Sequence, residues 1–184
     1  MPRVGLNHER VLETATELIN GEGLGKLALG QLAKKLNVKP PSLYNHVANL
    51  ETLKRDLALL AIKTLSPKLQ KATVGKAGNE ALSALAHAYR EFAKQSPGLF
   101  EASLQTVEDK DEELKAAGYE VLETMLAVFA GFGLGGDDAL HAIRAFRASL
   151  TGFIMLELRG GFGMELNVET SFENLIELHQ TALA

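Results

Sequence analysis

The chain of 184 residues contains no cysteine. This absence excludes disulfide bonds, thiolate zinc sites and cysteine nucleophiles, and it suits a protein of the reducing cytoplasm. Apolar residues nevertheless make up 46% of the sequence. The chain is therefore long and apolar enough to bury a sizeable core, in one domain or in two small ones.

Long hydrophobic runs are also missing. The longest stretch without a charged residue, 124–136, has 13 residues and carries four glycines, whereas a membrane-spanning helix needs about 20 apolar residues. Near the start of the chain, Glu9, Arg10 and Glu13 interrupt any charged-then-apolar signal pattern. We therefore expect a soluble, cytoplasmic protein that does not insert into membranes.

Spacings typical of catalytic, metal or nucleotide sites are scarce. The five histidines contain no pair separated by three or four residues, so spacing indicates no metal site. The glycine-rich run 131–136 follows a segment with a helical pattern, whereas a dinucleotide-binding loop follows a strand. The acidic cluster at 109–113 is explained by a solvated helix N-terminus. We predict no catalytic residue, no metal and no cofactor, and hence no enzyme.

Charge is unevenly distributed along the chain. Residues 1–76 contain 12 Lys and Arg against 6 Asp and Glu, a net charge of +6, whereas residues 77–184 contain 7 against 17, a net charge of −10. A basic part joined to an acidic part is typical of a nucleic-acid-binding segment followed by one that does not bind nucleic acid. Solvated helix faces are the alternative explanation.

The apolar pattern is helical almost everywhere, with no sustained alternation of period two. Asn7 is predicted to cap a first helix that ends in the glycines near residue 21, and Asn49 to cap a fourth helix. Ser66-Pro67 is predicted to end this fourth helix, because the residue before a proline avoids the helical region. The helices predicted after the first are 29–36, 41–47, 49–66, 79–95, 98–106, 109–130, 137–159 and 168–182. We expect an all-α fold of about nine helices.

Residues 29–47, LGQLAKKLNVKPPSLYNHV, carry the densest local signals. Asn37 tolerates the left-handed backbone that a tight turn needs, and the adjacent prolines suit the first positions of a helix. This pattern predicts a helix-turn-helix, whose second helix enters the DNA major groove through its N-terminal residues. Leu43 and Val47 are expected to face inward. The side chains expected to face outward are Ser42, Tyr44, Asn45 and His46.

The segment VLETATELINGEGLGKLALGQLAKKLNVKPPSLYNHVANLETLKRDL closely resembles the DNA-binding domain of the tetracycline-repressor (TetR) family, over about residues 8–60. The stretches SPGLF and FRASLTGFIMLELRGGFGMELNVETSFENL resemble, more faintly, the ligand-binding domain of one broad branch of that family. The resemblance implies a DNA-binding domain at 1–50 with three helices, a connecting helix at about 49–66, and a helical ligand-binding and dimerisation domain at 67–184.

The resemblance also implies roles for residues of the third helix. Tyr44 and His46 fall where family members contact the DNA backbone. Lys39, Pro40, Ser42 and Asn45 fall where members approach phosphates or base edges. Among these, the Asn45 amide suits a base edge, because an amide pairs bidentately with adenine. Two alternatives stay open: Tyr44 covers a leucine-rich seam, and Asn45 is merely exposed to solvent.

Family members are dimers whose last two helices usually form a four-helix interface. The apolar stripe along 137–159 is wide, which indicates burial both by its own domain and by a partner subunit. The predicted interface residues are Leu140, Ile143, Leu150, Ile154, Phe172 and Ile176. The side chains predicted to line an effector pocket are Phe92, Phe100, Met125, Phe129 and Phe146, although the sequence does not separate pocket lining from core.

Two departures from the family pattern concern cationic contacts. Leu50 stands where members usually carry a lysine, and Leu29 and Gly30 stand where members often carry a threonine and a basic residue. Each lost phosphate contact removes about one unit from the dependence of DNA affinity on salt. We therefore predict weaker sequence-independent DNA binding than is usual in the family, unless Lys39 or Lys54 compensates.

The favoured function is a dimeric, DNA-binding transcriptional regulator, a repressor that a small-molecule effector releases from DNA. A ligand achieves this by binding better to a differently splayed dimer. One alternative is a helical small-molecule-binding protein or enzyme with an incidental helix-turn-helix. Another is a regulator whose pocket is vestigial and which is controlled by its abundance or by a protein partner.

Overall fold

A computed structural model describes residues 6–105 and 111–184 of the chain. The N-terminal arm with Arg3 and Asp109 of the predicted acidic cluster lie outside these ranges. Within them the fold is all-α, as predicted, with nine α-helices and a short 3₁₀ turn. The helices are α1 (His8–Glu22), α2 (Leu29–Lys35), α3 (Pro40–Leu43), α4 (Leu50–Thr73), α5 (Gly78–Gln95), α6 (Pro97–Ser103), α7 (Glu112–Ala130), α8 (Gly136–Leu158) and α9 (Val168–Leu183).

Asparagines begin three of these helices. The Asn7 side chain accepts a hydrogen bond from the backbone N–H of Arg10 at 2.8 Å, and Asn49 accepts one from the N–H of Thr52 at 2.8 Å. Both caps agree with the prediction, because a side-chain oxygen before the first turn satisfies an otherwise unpaired N–H. Asn167 caps α9 in the same way.

Helix α4 does not end where the sequence predicts. The expected stop at Ser66-Pro67 is wrong, since the helix continues through Pro67 to Thr73. A proline inside a helix removes one backbone hydrogen bond. Leu65 and Leu69, on either side, are 3% and 0% exposed. A fully buried leucine contributes about 1.5–3 kcal/mol, so burial offsets the lost hydrogen bond. None of the helices in the described ranges is both long enough and apolar enough to cross a bilayer.

The chain divides into two compact units. The first comprises Met1–Lys63 and Ser96–Lys115, and the second comprises Thr64–Gln95 and Ala116–Ala184. The unit boundary thus falls inside α4, and α6 belongs with the N-terminal helices. The predicted domains, in contrast, assign α6 to the C-terminal part of the chain.

In the first unit, α6 packs against the end of α1. The Asn20 side chain on α1 accepts hydrogen bonds from the backbone N–H groups of Gly98, at 2.9 Å, and Leu99, at 3.4 Å. Glu101 accepts a further bond from the N–H of Leu24 at 3.1 Å. Gly98 lies so close to α1 that a Cβ added there would be 2.3 Å from the carbonyl carbon of Ile19. The close approach explains why a glycine follows the proline of SPGLF.

In the second unit, α5, α8 and α9 enclose a buried arginine. Arg90 is 5% exposed, and its guanidinium donates hydrogen bonds to Glu157 at 2.7 and 2.8 Å and to Glu169 at 2.8 Å. It also lies over the ring of Phe172, 4.3 Å from the centroid. The hydrogen bonds from Arg90 to Glu157 lower the pKa of the Glu157 carboxyl. A buried charge with such partners joins three helices through one side chain.

Candidate nucleic-acid interface

The turn between α2 and α3 has the geometry that the sequence predicts. Asn37 has a φ of 55°, the left-handed region, and is alone in this among the non-glycine residues described. The N–H of Val38 then returns to the carbonyl of Ala33 at 3.0 Å. Ala33 is 1% exposed, as expected for a small residue where two helices meet closely. These contacts establish a helix-turn-helix in the first unit.

Helix α3 is shorter than the predicted helix at 41–47. Regular helix extends over Pro40–Leu43, and a turn covers the next three residues. The last turn keeps one helical hydrogen bond, from the N–H of Val47 to the carbonyl of Leu43 at 3.1 Å. Lys39 precedes the helix in extended conformation, with φ −74° and ψ 143°.

The polar side chains of this segment lie together at the surface. Leu43 and Val47 are 1% and 2% exposed, so they anchor the segment in the core. Tyr44 is 56% exposed, which disfavours the alternative that it covers a leucine-rich seam. His46 is half-buried. The other predicted DNA-contacting residues, all exposed, are Lys39, Pro40, Ser42 and Asn45.

A contact that the sequence does not indicate holds the end of this segment. The first residue of α1, His8, donates a hydrogen bond from Nδ1 to the carbonyl oxygen of His46 at 3.0 Å. Its other ring nitrogen, Nε2, lies 3.4 Å from the carboxylate of Asp56 on α4. His8 therefore ties the end of the α3 segment to α1 and α4 of the first unit. The partners are 38 residues apart in sequence, so no local pattern reveals the contact.

An ion-pair network joins α4 to the start of α7 within the first unit. Arg55 donates to both carboxylate oxygens of Asp111, at 2.7 and 2.8 Å, and to Glu113 at 2.9 Å. Lys63 also binds Glu113, at 2.8 Å. The hydrogen bonds from Arg55 are the main reason that the pKa of the Asp111 carboxyl is lowered to about 2. Asp111 also caps α7 through the N–H of Leu114, so this part of the acidic cluster lies at a helix N-terminus, as predicted, but is ion-paired as well as solvated.

The five side chains predicted to line an effector pocket do not lie in one compact unit. Phe92, Met125, Phe129 and Phe146 belong to the second unit and are at most 1% exposed, whereas Phe100 belongs to the first. The rings of Phe129 and Phe146 meet edge to face with centroids 5.7 Å apart. Such contacts are typical of a packed core. One cavity of about 310 Å³ lies in the first unit, lined by none of these five residues.

The residues predicted at the dimer interface are mostly core residues of the second unit. The apolar stripe is real, but it faces the protomer's own helices, so these side chains have almost no surface left for a partner. Leu140 is half-buried. The residues that are at most 2% exposed are Ile143, Leu150, Ile154, Phe172 and Ile176.

Comparison with known proteins extends the similarity beyond the helix-turn-helix. Residues 82–179 match the family described as "Tetracyclin repressor-like, C-terminal domain". The chain is 35% identical to YobS, an HTH-type transcriptional regulator of Bacillus subtilis (strain 168), over 91% of this chain and 87% of YobS. It is 34% identical to an HTH-type transcriptional regulator of Mycobacterium tuberculosis, over 84% of this chain and 72% of that protein.

A solved structure supports the same fold. PfmR of Thermus thermophilus, a TetR family transcriptional regulator, superposes with a TM-score of 0.70 and 21% identity, covering 94% of this chain and 97% of PfmR. The helix-turn-helix, the family match and the similarity to these HTH-type regulators together define a transcriptional regulator, a class of protein that is not enzymatic. The chain belongs to the TetR family of transcriptional regulators.

Proposed function

We propose that this chain is a dimeric, DNA-binding repressor of the cytoplasm whose α3 segment enters the major groove. The observation that carries the proposal is the division of side chains in residues 39–47. Leu43 and Val47 are buried, while Ser42, Tyr44 and Asn45 are exposed beside one another. The net charge of +6 over residues 1–76 favours contact with phosphates.

The partner subunit is proposed to cover the outward face of α8 and α9. On α8 this face presents the small residues Ala145, Ala148 and Gly152, all exposed, followed by Leu156, which is 50% exposed. On α9 it presents Leu178, which is 68% exposed. Small side chains let two helices approach closely, and exposed leucines gain by burial. In such a dimer, two α3 segments about 34–36 Å apart would reach successive major grooves.

Two substitutions separate backbone contact from base contact. Tyr44→Ala is expected to weaken binding to every DNA sequence by a similar factor, because a phosphate contact carries no sequence information. Asn45→Ala is expected to change the preference at one base position by about 1–3 kcal/mol. Affinities for a set of singly substituted operator sites, measured by fluorescence anisotropy, check both expectations.

Tyr119→Ala is the matched control for the first substitution. Tyr119 lies on α7 in the second unit and is 62% exposed, and its loss is expected to leave DNA affinity unchanged. Equal losses for Tyr44→Ala and Asn45→Ala at every site would show that the proposed division of roles is wrong.

A lysine in place of Leu50 is expected to restore a phosphate contact. Leu50 is the half-buried first residue of α4. The wild-type slope of log affinity against log salt is expected not to exceed about 6 in magnitude, and Leu50→Lys is expected to steepen it by about one unit. Val74→Lys adds the same charge at a residue of the second unit that is 77% exposed, and it is expected to leave the slope unchanged. Equal steepening by both variants would contradict a local contact.

Release from DNA is proposed to follow from an effector that binds the second unit. An effector lowers DNA affinity only by its difference in affinity for the two dimer states. The candidate lining is Phe92, Met125, Phe129 and Phe146, which must rotate apart to admit a ligand because they are buried against one another or their neighbours. A ligand that raises the melting temperature and weakens DNA binding supports an effector-controlled repressor. Ligands that do neither favour the alternative of a regulator with a vestigial pocket.

A further inference from the structure

Three potential metal ligands converge in the second unit. His87 lies on α5, and Glu169 and Glu173 lie one turn apart on α9. The imidazole nitrogen and the two carboxylate oxygens that would act as ligands lie within 4.8 Å of one another. We infer that these three residues form a binding site for a divalent transition-metal ion of the zinc class, which bridges α5 and α9.

The distances come close to those of a bound ion. Nε2 of His87 lies 3.1 Å from Oε1 of Glu173. Zinc binds imidazole nitrogen and carboxylate oxygen at about 2.0–2.2 Å in tetrahedral geometry, which places two of its ligand atoms about 3.3–3.6 Å apart. All three ligand atoms lie within 4.8 Å of one another, so the exposed carboxylates need to move by about 1 Å at most to reach tetrahedral spacing. Water supplies the remaining position of a tetrahedral site with three protein ligands.

The surroundings hold two of the ligands in place. The imidazole of His87 meets the ring of Phe172 edge to face, with centroids 5.4 Å apart. The Oε2 atom of Glu169 accepts a hydrogen bond from Arg90 at 2.8 Å. Metal-binding carboxylates are commonly oriented by such outer hydrogen bonds, and this one leaves the second oxygen of Glu169 to the ion.

The charge of Arg90 does not exclude a cation from the site. Its guanidinium is already paired with both oxygens of Glu157 at 2.7 and 2.8 Å. The carboxylates of Glu169 and Glu173 then add two negative charges next to the imidazole of His87. The side chains of His87, Glu169 and Glu173 are 42%, 56% and 50% exposed, so a hydrated ion reaches them without opening the core.

The choice of ion follows from the ligands. Imidazole with carboxylate suits zinc, cobalt and nickel, whereas magnesium and calcium prefer sites made of oxygen atoms. Sequence spacing does not reveal the site, because the histidine and the glutamates lie on helices that are far apart in the chain. Only the contact between α5 and α9 brings them together.

Titration of the tag-free, chelator-treated chain with Co²⁺ and Zn²⁺ tests the site. The wild-type chain is expected to change the visible absorption of Co²⁺ at one ion per chain, to lose that signal to Zn²⁺, and to melt at a higher temperature with Zn²⁺. His87→Gln and Glu173→Gln are each expected to lower the affinity more than the roughly 10-fold to 100-fold loss typical of outer-shell changes. These ligands are exposed, so both variants are expected to fold, which far-UV circular dichroism without metal verifies.

Two control variants make the same substitutions, glutamate to glutamine and histidine to glutamine, at residues outside the site. Glu177→Gln, one turn further along α9, and His141→Gln, on the exposed side of α8, are expected to bind as the wild type does. The inference is overturned if the wild type binds neither ion at millimolar concentration, or if it binds Mg²⁺ as tightly as Zn²⁺. It is also overturned if the site variants and the controls bind alike. These measurements need no DNA, so their outcome is independent of the proposed repressor function.

Discussion

Replacing Arg90 by methionine is expected to lower the free energy of unfolding by about 3 kcal/mol, the lower end of the range of about 3–5 kcal/mol for breaking a buried ion pair. The substitution leaves the carboxylate of Glu157, whose side chain is 16% exposed, without its guanidinium partner. It also removes the cation over the ring of Phe172. The lower end applies because Glu169, the other partner, is 56% exposed and can be solvated.

Urea unfolding followed by far-UV circular dichroism measures this loss. Arg147→Met, on an exposed part of α8, is the matched control and is expected to change stability by no more than about 0.5 kcal/mol. The double variant Arg90→Met with Glu157→Gln is expected to recover part of the loss, because it no longer buries a carboxylate whose remaining cation is Lys94, 3.7 Å away. A loss below about 1 kcal/mol for Arg90→Met would contradict a stabilising role for this pair.

The same pair predicts a direction for the dependence on pH. The pKa of Glu157 is lowered from its ordinary value of 4.5 by the Arg90 hydrogen bonds. Its contribution to stability is therefore fully present above about pH 4.5 and is lost as the pH falls below that value. The difference in stability between wild type and Arg90→Met is expected to narrow on acidification in this range. If the stability difference between wild type and Arg90→Met widens on acidification, the lowered pKa of Glu157 does not contribute to stability in this way.

Gly98→Ala is expected to destabilise the first unit by about 3 kcal/mol, the upper end of the usual cost of overpacking. An added Cβ would lie 2.3 Å from the carbonyl carbon of Ile19, 2.5 Å from its oxygen and 2.6 Å from the backbone nitrogen of Asn20. These are backbone atoms of α1, so no side-chain rotation relieves the clash. Relief requires α6 to move away from α1, with loss of the Asn20 hydrogen bonds to the α6 backbone.

Gly21→Ala is the control for this substitution. Gly21 lies in the last turn of α1 with nothing within 4 Å of an added Cβ, so alanine is expected to raise stability by about 0.5–1 kcal/mol. Thermal and urea unfolding of both variants measure the effects. A Gly98→Ala variant as stable as the wild type would show that α6 does not pack this closely against α1.

The sequence predicts the helix-turn-helix around residues 37–47 well because its determinants are local. The left-handed turn at Asn37, the prolines that begin α3 and the inward positions of Leu43 and Val47 all follow from residues within one short stretch. Local propensity fails at Pro67, where burial of neighbouring leucines keeps α4 helical. The rule that a helix ends before a proline considers only the local backbone and takes no account of tertiary contacts.

The remaining differences concern contacts between residues far apart in sequence. A wide apolar stripe on α8 predicts burial, but it does not say whether the protomer or a partner covers it, and Ile154 is covered by its own unit. The bonds from His8 to His46 and from Arg55 to Asp111 join residues 38 and 56 positions apart. Periodicity carries no information on such pairs, which depend on how the helices are placed in the fold.

The central claim is that two copies of this chain bind one DNA site through α3. Its most direct test is a titration of the DNA upstream of the protein's own gene, at low salt, with the mass of the complex measured by analytical ultracentrifugation. We predict a complex of two chains per site, which the Tyr44→Ala variant forms much more weakly. Two results would contradict the account: a folded dimer that leaves this DNA unbound, or a complex that contains one chain per site.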